Sequence, residues 1–183
     1  AQYAADACGI SIMNGGDGAG HHPTQTLLDL FTIRQAHGGL RGLKVALVGD
    51  LRYGRTVHSL THALARFDCE LVFISPAQLS MPEEILDDLR EAGATISETE
   101  DLYSIIPEVD VIYMTRIQKE RFPDEDEYAK VAGIYKLSAA DLADAKGEMI
   151  VMHPLPRVSE ITPDVDETRH ARYFEQAFTG VVA

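Results

Sequence analysis

Three short apolar runs dominate the sequence, and each gives way to a loop of cationic, amide or proline residues. Lys44-Val45-Ala46-Leu47-Val48-Gly49 leads into Asp50-Leu51-Arg52-Tyr53-Gly54-Arg55-Thr56. Val109-Asp110-Val111-Ile112-Tyr113-Met114 leads into Thr115-Arg116-Ile117-Gln118-Lys119-Glu120-Arg121, and Met149-Ile150-Val151-Met152 leads into His153-Pro154-Leu155-Pro156-Arg157. Runs this short are read as buried strands rather than helices. In an α/β protein, ligands bind beyond the carboxyl ends of parallel strands. Three such loops at one end of one sheet have the layout of an anion site.

Between and around these runs the pattern alternates. Pro23 fits a first helical position, which makes His22 the N-cap of a helix that ends near His37 at Gly38-Gly39. A helix over about 55–67, a strand over 70–75 and a helix over 82–92 follow, the last opened by a capping-box pattern from Ser80 to Glu83. A weak strand near 94–97 and a short helix near 100–106 precede the run at 109–114. Residues 2–8 read as a helix end and 9–14 as a short strand. A short helix is expected over 138–145 and a last one from about Arg169. Strands alternating with helices predict an α/β, doubly wound, mainly parallel sheet of about five strands with helices on both faces, a Rossmann-like arrangement.

At 183 residues and 45% hydrophobic content the chain is long enough for one substantial core. Its net charge of −13 argues against nucleic acid or an anionic membrane as partner, since both need an extended basic surface. An anion site here must be a local cationic concavity. The two cysteines, Cys8 and Cys69, lie far apart in apolar contexts and suggest a reduced, cytoplasmic protein with neither a disulfide framework nor a zinc ribbon. No apolar run approaches the ~20 residues of a membrane span, and no signal peptide is read at the start.

Each loop has a bland and a chemical reading. Gly49 to Thr56 has the spacing of a phosphate-cradling nucleotide loop with Arg55 in the lysine position. An arginine fork suits a carboxylate better than the compact site such a loop provides, so a nucleotide-binding switch is the weaker reading. His22 and Gln25, three residues apart at a helix N-terminus, can meet one ligand, and a neutral imidazole there can donate to a carbonyl oxygen that gains charge. A plain capping histidine is the bland alternative. Pro154 and Pro156 carry no N–H, so the Pro154-Leu155-Pro156 backbone offers mainly acceptors, suited to a substrate NH2 group; a rigid turn would need nothing more.

Taken together, His22-Pro23-Thr24-Gln25, the segment Val48 to Ser59, Tyr113 to Arg121 and His153 to Arg157 closely resemble the catalytic chains of aspartate carbamoyltransferases, in order and spacing, from about Ile10 to the last residue. The related ornithine carbamoyltransferases share the His-Pro-x-Gln element but lack the Thr-Arg-x-Gln-Lys-Glu-Arg element, so this chain sides with aspartate. The resemblance implies transfer of the carbamoyl group of carbamoyl phosphate to L-aspartate in pyrimidine synthesis. It implies that His22 polarises the carbamoyl carbonyl, with Gln25 and Pro154, Leu155 and Pro156 holding the carbamoyl group. Arg55 and Arg116, helped by Thr56 and Gln118, would bind the aspartate carboxylates, and the Leu155–Pro156 bond would be cis. No metal or organic cofactor is implied. A homotrimer is the expected assembly, with a regulatory chain in some members.

Residues 1–20 are read as a remnant of the carbamoyl-phosphate domain and linker, and 21–183 as the aspartate-binding domain. The family's Ser-Thr-Arg-Thr-Arg phosphate loop and its C-terminal return helix have no counterpart in the sequence, so this polypeptide is expected not to catalyse alone. A non-catalytic carboxylate-binding module of the same fold is the main alternative.

Overall fold

The computed structural model describes residues 2–16, 20–117, 122 and 124–181. Five parallel strands form one sheet in the order β3-β2-β1-β4-β5: β1 Lys44–Val48, β2 Glu70–Ile74, β3 Thr95–Thr99, β4 Val111–Met114 and β5 Ile150–Met152. The chain winds outward from β1 through β2 to β3, then returns to the other side of β1 as β4 and continues to β5. The winding reverses between β1 and β4, so the loops after these strands part and leave a crevice.

The uninterrupted apolar character of the central strands follows from burial on both faces. Side chains alternate along each strand, so Val45, Leu47, Leu71, Phe73, Val111 and Tyr113 enter one core and Ala46, Val48, Val72, Ile74, Ile112 and Met114 the other. The first core is covered by α2 (Pro23–His37), α3 (Arg55–Leu64) and α4 (Glu83–Glu91) through Ile33, Leu60 and Leu86. The second is covered by α5 (Leu102–Ile105), by Tyr135, Leu137, Leu142 and Val165 from the irregular stretch beyond β4, and by Tyr173 at the start of α7 (Tyr173–Thr179). Two further helices are α1 (Gln2–Ala7), whose residues 3–7 are exposed, and α6 (Glu125–Val131), whose last residue, Val131, is buried.

Several local expectations are revised. Residues 9–14 form no strand. The Ser80–Glu83 capping box is not made: Pro82 is the N-cap of α4, and Ser80 Oγ donates to Ala77 O instead. The helix expected over 138–145 shrinks to a 3₁₀ turn at Ala140–Leu142. The last helix starts at Tyr173 rather than near Arg169, because Ala171 bridges to Val151 beside the sheet edge and Arg172 donates its N–H to Val151.

Candidate active site

A cavity of about 230 Å³ opens at the winding reversal. Four chain segments wall it: His22 and Gln25 from the start of α2; Asp50, Gly54, Arg55 and Thr56 between β1 and α3; Thr115 and Arg116 after β4; and His153, Pro154, Leu155 and Pro156 after β5. Every site residue expected from sequence lines it except Gln118, which lies outside the described residues.

The β1 loop is built by close approach. Gly49 has φ +110°, and a Cβ there would sit 2.6 Å from Thr115 O, so glycine lets the ends of β1 and β4 touch. Thr115 Oγ1 then accepts from Asp50 N at 2.8 Å and donates to Val48 O at 2.8 Å. The N–H groups of Gly49, Leu51 and Arg55 go to Ile74 O, Leu79 O and Tyr53 O, and that of Tyr53 to Asp50 Oδ1. These five amides are taken up inside the protein rather than aimed at a phosphate, which weakens the nucleotide-loop reading. What the loop delivers to the cavity is Arg55, at the first position of α3.

His22 caps α2 as the sequence implies: its Nδ1 accepts from Gln25 N at 3.3 Å. An accepting Nδ1 leaves the proton on Nε2, so the neutral ring carries a donor. Burial and then the charge of Arg55 hold the His22 pKa below its ordinary value, which keeps the ring neutral near pH 7. Ser59 fixes its backbone, accepting from His22 N at 3.0 Å and donating to Arg55 O at 3.1 Å.

The 153–157 loop turns its donors inward. Leu155 N donates to His153 Nδ1 at 2.8 Å, and His153 N donates to Gln176 Oε1 at 2.9 Å. His153 Nε2 meets Glu160 Oε1 at 2.8 Å. Burial raises the Glu160 pKa, but the hydrogen bonds from His153 and from nearby backbone N–H groups outweigh it and hold the carboxyl at about 2. The Leu155–Pro156 bond is cis, as the resemblance implies. With the prolines lacking N–H groups, this wall presents acceptors.

Not all the loop arginines converge. Arg52 points to Gln78 O, and Arg157 pairs with Asp166 and donates to Tyr173 OH at 2.9 Å, so both serve structure. Asp50, Gly54, Thr115 and His153 also line the cavity; Thr115 and His153 directly follow β4 and β5, and a polar residue in that place is the signal the sequence offers. Two guanidinium groups, two helix N-termini and an acceptor wall suit a ligand with anionic ends and an NH2 group between them.

Two family models match. Residues 41–183 match the aspartate/ornithine carbamoyltransferase Asp/Orn binding domain, and residues 1–35 match the carbamoyl-P binding domain of the same family. The chain belongs to the aspartate/ornithine carbamoyltransferase family. It is 58% identical over 181 residues to the aspartate carbamoyltransferase catalytic subunit of Thermococcus kodakarensis, covering 99% of this chain and 58% of that protein. It is 57% identical to that of Halorubrum lacusprofundi, again covering 99% and 58%. Among solved structures, the catalytic subunit of M. jannaschii aspartate transcarbamoylase superposes with a TM-score of 0.88 at 48% identity, covering 98% of this chain and 58% of that one. The Trypanosoma cruzi enzyme in complex with carbamoyl phosphate and aspartate gives a TM-score of 0.91 at 40% identity, covering 98% and 59%. The chain thus spans under two thirds of the length of these relatives. Among the described residues no helix is long and apolar enough to cross a membrane.

Proposed function

We propose that the chain, completed to the length of its relatives, transfers the carbamoyl group of carbamoyl phosphate to the amine of L-aspartate. The reading is carried by one observation: His22, Gln25, Arg55, Arg116 and the 154–156 loop meet in a single cavity in a chain of this family. The complex of the Trypanosoma cruzi relative with carbamoyl phosphate and aspartate supports the choice of substrates.

Arg55 and Arg116, with Thr56 and Gln118, hold the two aspartate carboxylates so that the amine faces the carbamoyl carbon. The amine nitrogen attacks that carbon, a C–N bond forms, and the carbonyl electrons move onto oxygen. His22 Nε2–H donates to this oxygen and strengthens its bond as charge develops. Gln25 and the carbonyls of Pro154, Leu155 and Pro156 hold the NH2 group. The carbonyl re-forms as the C–O bond to phosphate breaks with its electron pair leaving on phosphate, the amine proton passes to the departing phosphate, and N-carbamoyl-L-aspartate and phosphate result.

The family matches favour a division later than residue 20: residues 1–35 belong to the carbamoyl-phosphate side and 41–183 to the aspartate side. Homotrimeric assembly, association with a regulatory chain, and a cytoplasmic location belong to the same proposal and rest on the family alone. The test is acceptor choice. Completed with the remaining sequence of the Thermococcus kodakarensis relative, the chain should carbamoylate L-aspartate and leave L-ornithine untouched. Turnover of ornithine, or aspartate binding without turnover, would overturn the reading, the second outcome favouring a carboxylate-binding module.

A further inference from the structure

Asp29 is a carboxylate placed where packing alone asks for an apolar side chain. It lies in the middle of α2 with 0% exposure, one turn after Gln25. Three donors converge on it: Gln25 Nε2 at 2.9 Å and Gln176 Nε2 at 2.6 Å on Oδ1, and Tyr113 OH at 2.9 Å on Oδ2. The other end of Gln176 is also used, since its Oε1 accepts from His153 N at 2.9 Å. One buried carboxylate therefore ties the first turn of α2 to the first residue of the cis-proline loop, two separate walls of the cavity.

Burying this group is costly. Desolvation lifts its pKa to about 7 even against three hydrogen bonds, and an apolar residue of similar volume would spare that cost. Gln25 shows what the carboxylate accomplishes. An amide has a donating and an accepting end, and with its nitrogen committed to Asp29 the end that Gln25 has left for the cavity is the carbonyl Oε1.

We propose that Asp29 is a positioning residue that locks Gln25 as a hydrogen-bond acceptor and registers it with the 153–157 loop, so that the cavity selects an acyl group bearing NH2 over one bearing a methyl group. The selectivity rests on the carbamoyl-transfer reading; the orientation of Gln25 does not.

Two measurements separate these. In the chain itself, side-chain amide exchange followed by NMR should be at least ~10-fold slower for Gln25 than for exposed Gln78. Asp29→Ala should abolish that protection, whereas Asp29→Asn, which keeps an acceptor at the Oδ1 position, should retain much of it. In the completed catalytic chain, acetyl phosphate serves as the methyl probe. Asp29→Ala should lower the preference for carbamoyl over acetyl phosphate by about tenfold or more, and Asp29→Asn should recover most of it. A merely structural role would weaken both ligands together and leave the ratio unmoved. Unprotected Gln25 amide protons in the unaltered chain, or an unchanged ratio in Asp29→Ala, would overturn the proposal. A completed unaltered chain that transferred no carbamoyl group would refute the reaction and the selectivity, while amide exchange would still decide the orientation.

Discussion

Glu160 Oε1 lies 2.8 Å from His153 Nε2, and this buried pair fixes the residue from which the acceptor loop of the cavity departs. Glu160 also accepts from Val158 N and Ser159 N, so its loss would leave the buried His153 donor and two part-buried backbone N–H groups unmatched. Glu160→Ala should cost at least ~1–3 kcal/mol in denaturant unfolding. The sign with pH follows from the carboxyl pKa, which falls from an ordinary 4.5 to about 2 on folding. The stabilisation is present above pH 4.5 and is lost as pH falls towards 2. The unaltered chain should therefore lose more stability than Glu160→Ala across that window, and parallel curves would count against the pairing.

Arg116 should be intolerant of lysine. In the completed enzyme, Arg116→Ala should weaken aspartate use by ~2–5 kcal/mol, the scale for breaking a desolvated charge pair. Arg116→Lys should not restore it, because one ammonium cannot reproduce a two-pronged fork. Near-normal aspartate kinetics in the lysine variant would remove Arg116 from the carboxylate clamp.

His22 should act on kcat more than on KM. If its Nε2–H strengthens its bond as the carbonyl becomes an oxyanion, His22→Ala should lower kcat by roughly 10²–10³. Because burial and Arg55 depress its pKa, the acid limb due to His22 should fall below its ordinary 6.5. A pH–rate profile that loses activity around pH 7 through this residue would contradict the neutral-donor role.

Gly49→Ala should destabilise the junction of β1 and β4. Left-handed backbone costs a residue with a Cβ roughly 1–2 kcal/mol, and the contact with Thr115 O adds to that. Thermal melting should show a loss of at least this size; an unchanged melt would mean that the strand ends part without cost.

Much of this was legible in the sequence, for physical reasons. Residues 44–48, 70–74 and 111–114 are strands buried on both faces, and such runs leave few other readings. The edge strand Thr95–Thr99 is faint because all five of its residues stay exposed or half-buried. His22 and Gln25 were visible because a cap and a proline mark the helix start. Asp29 was not, since a single carboxylate in an apolar helix reads as one more surface charge until Gln176, 147 residues away, is brought against it. The start of α7 is not legible locally, because a tertiary contact, Ala171 against Val151, overrides local helix preference. The capping box fails for a local reason: Ser80 closes the 3₁₀ turn at Ala77–Leu79, where its hydroxyl donates to Ala77 O, and Pro82 takes the N-cap position.

The most direct test is a crystal structure of the completed chain with N-(phosphonacetyl)-L-aspartate, which joins an aspartate to a phosphonate through an acyl group and is bound by the Trypanosoma cruzi relative. Both carboxylates should lie at ~3 Å from the guanidinium groups of Arg55 and Arg116, with the acyl oxygen at hydrogen-bond distance from His22 Nε2. Carboxylates held elsewhere, with Arg55 and Arg116 out of contact, would contradict the account.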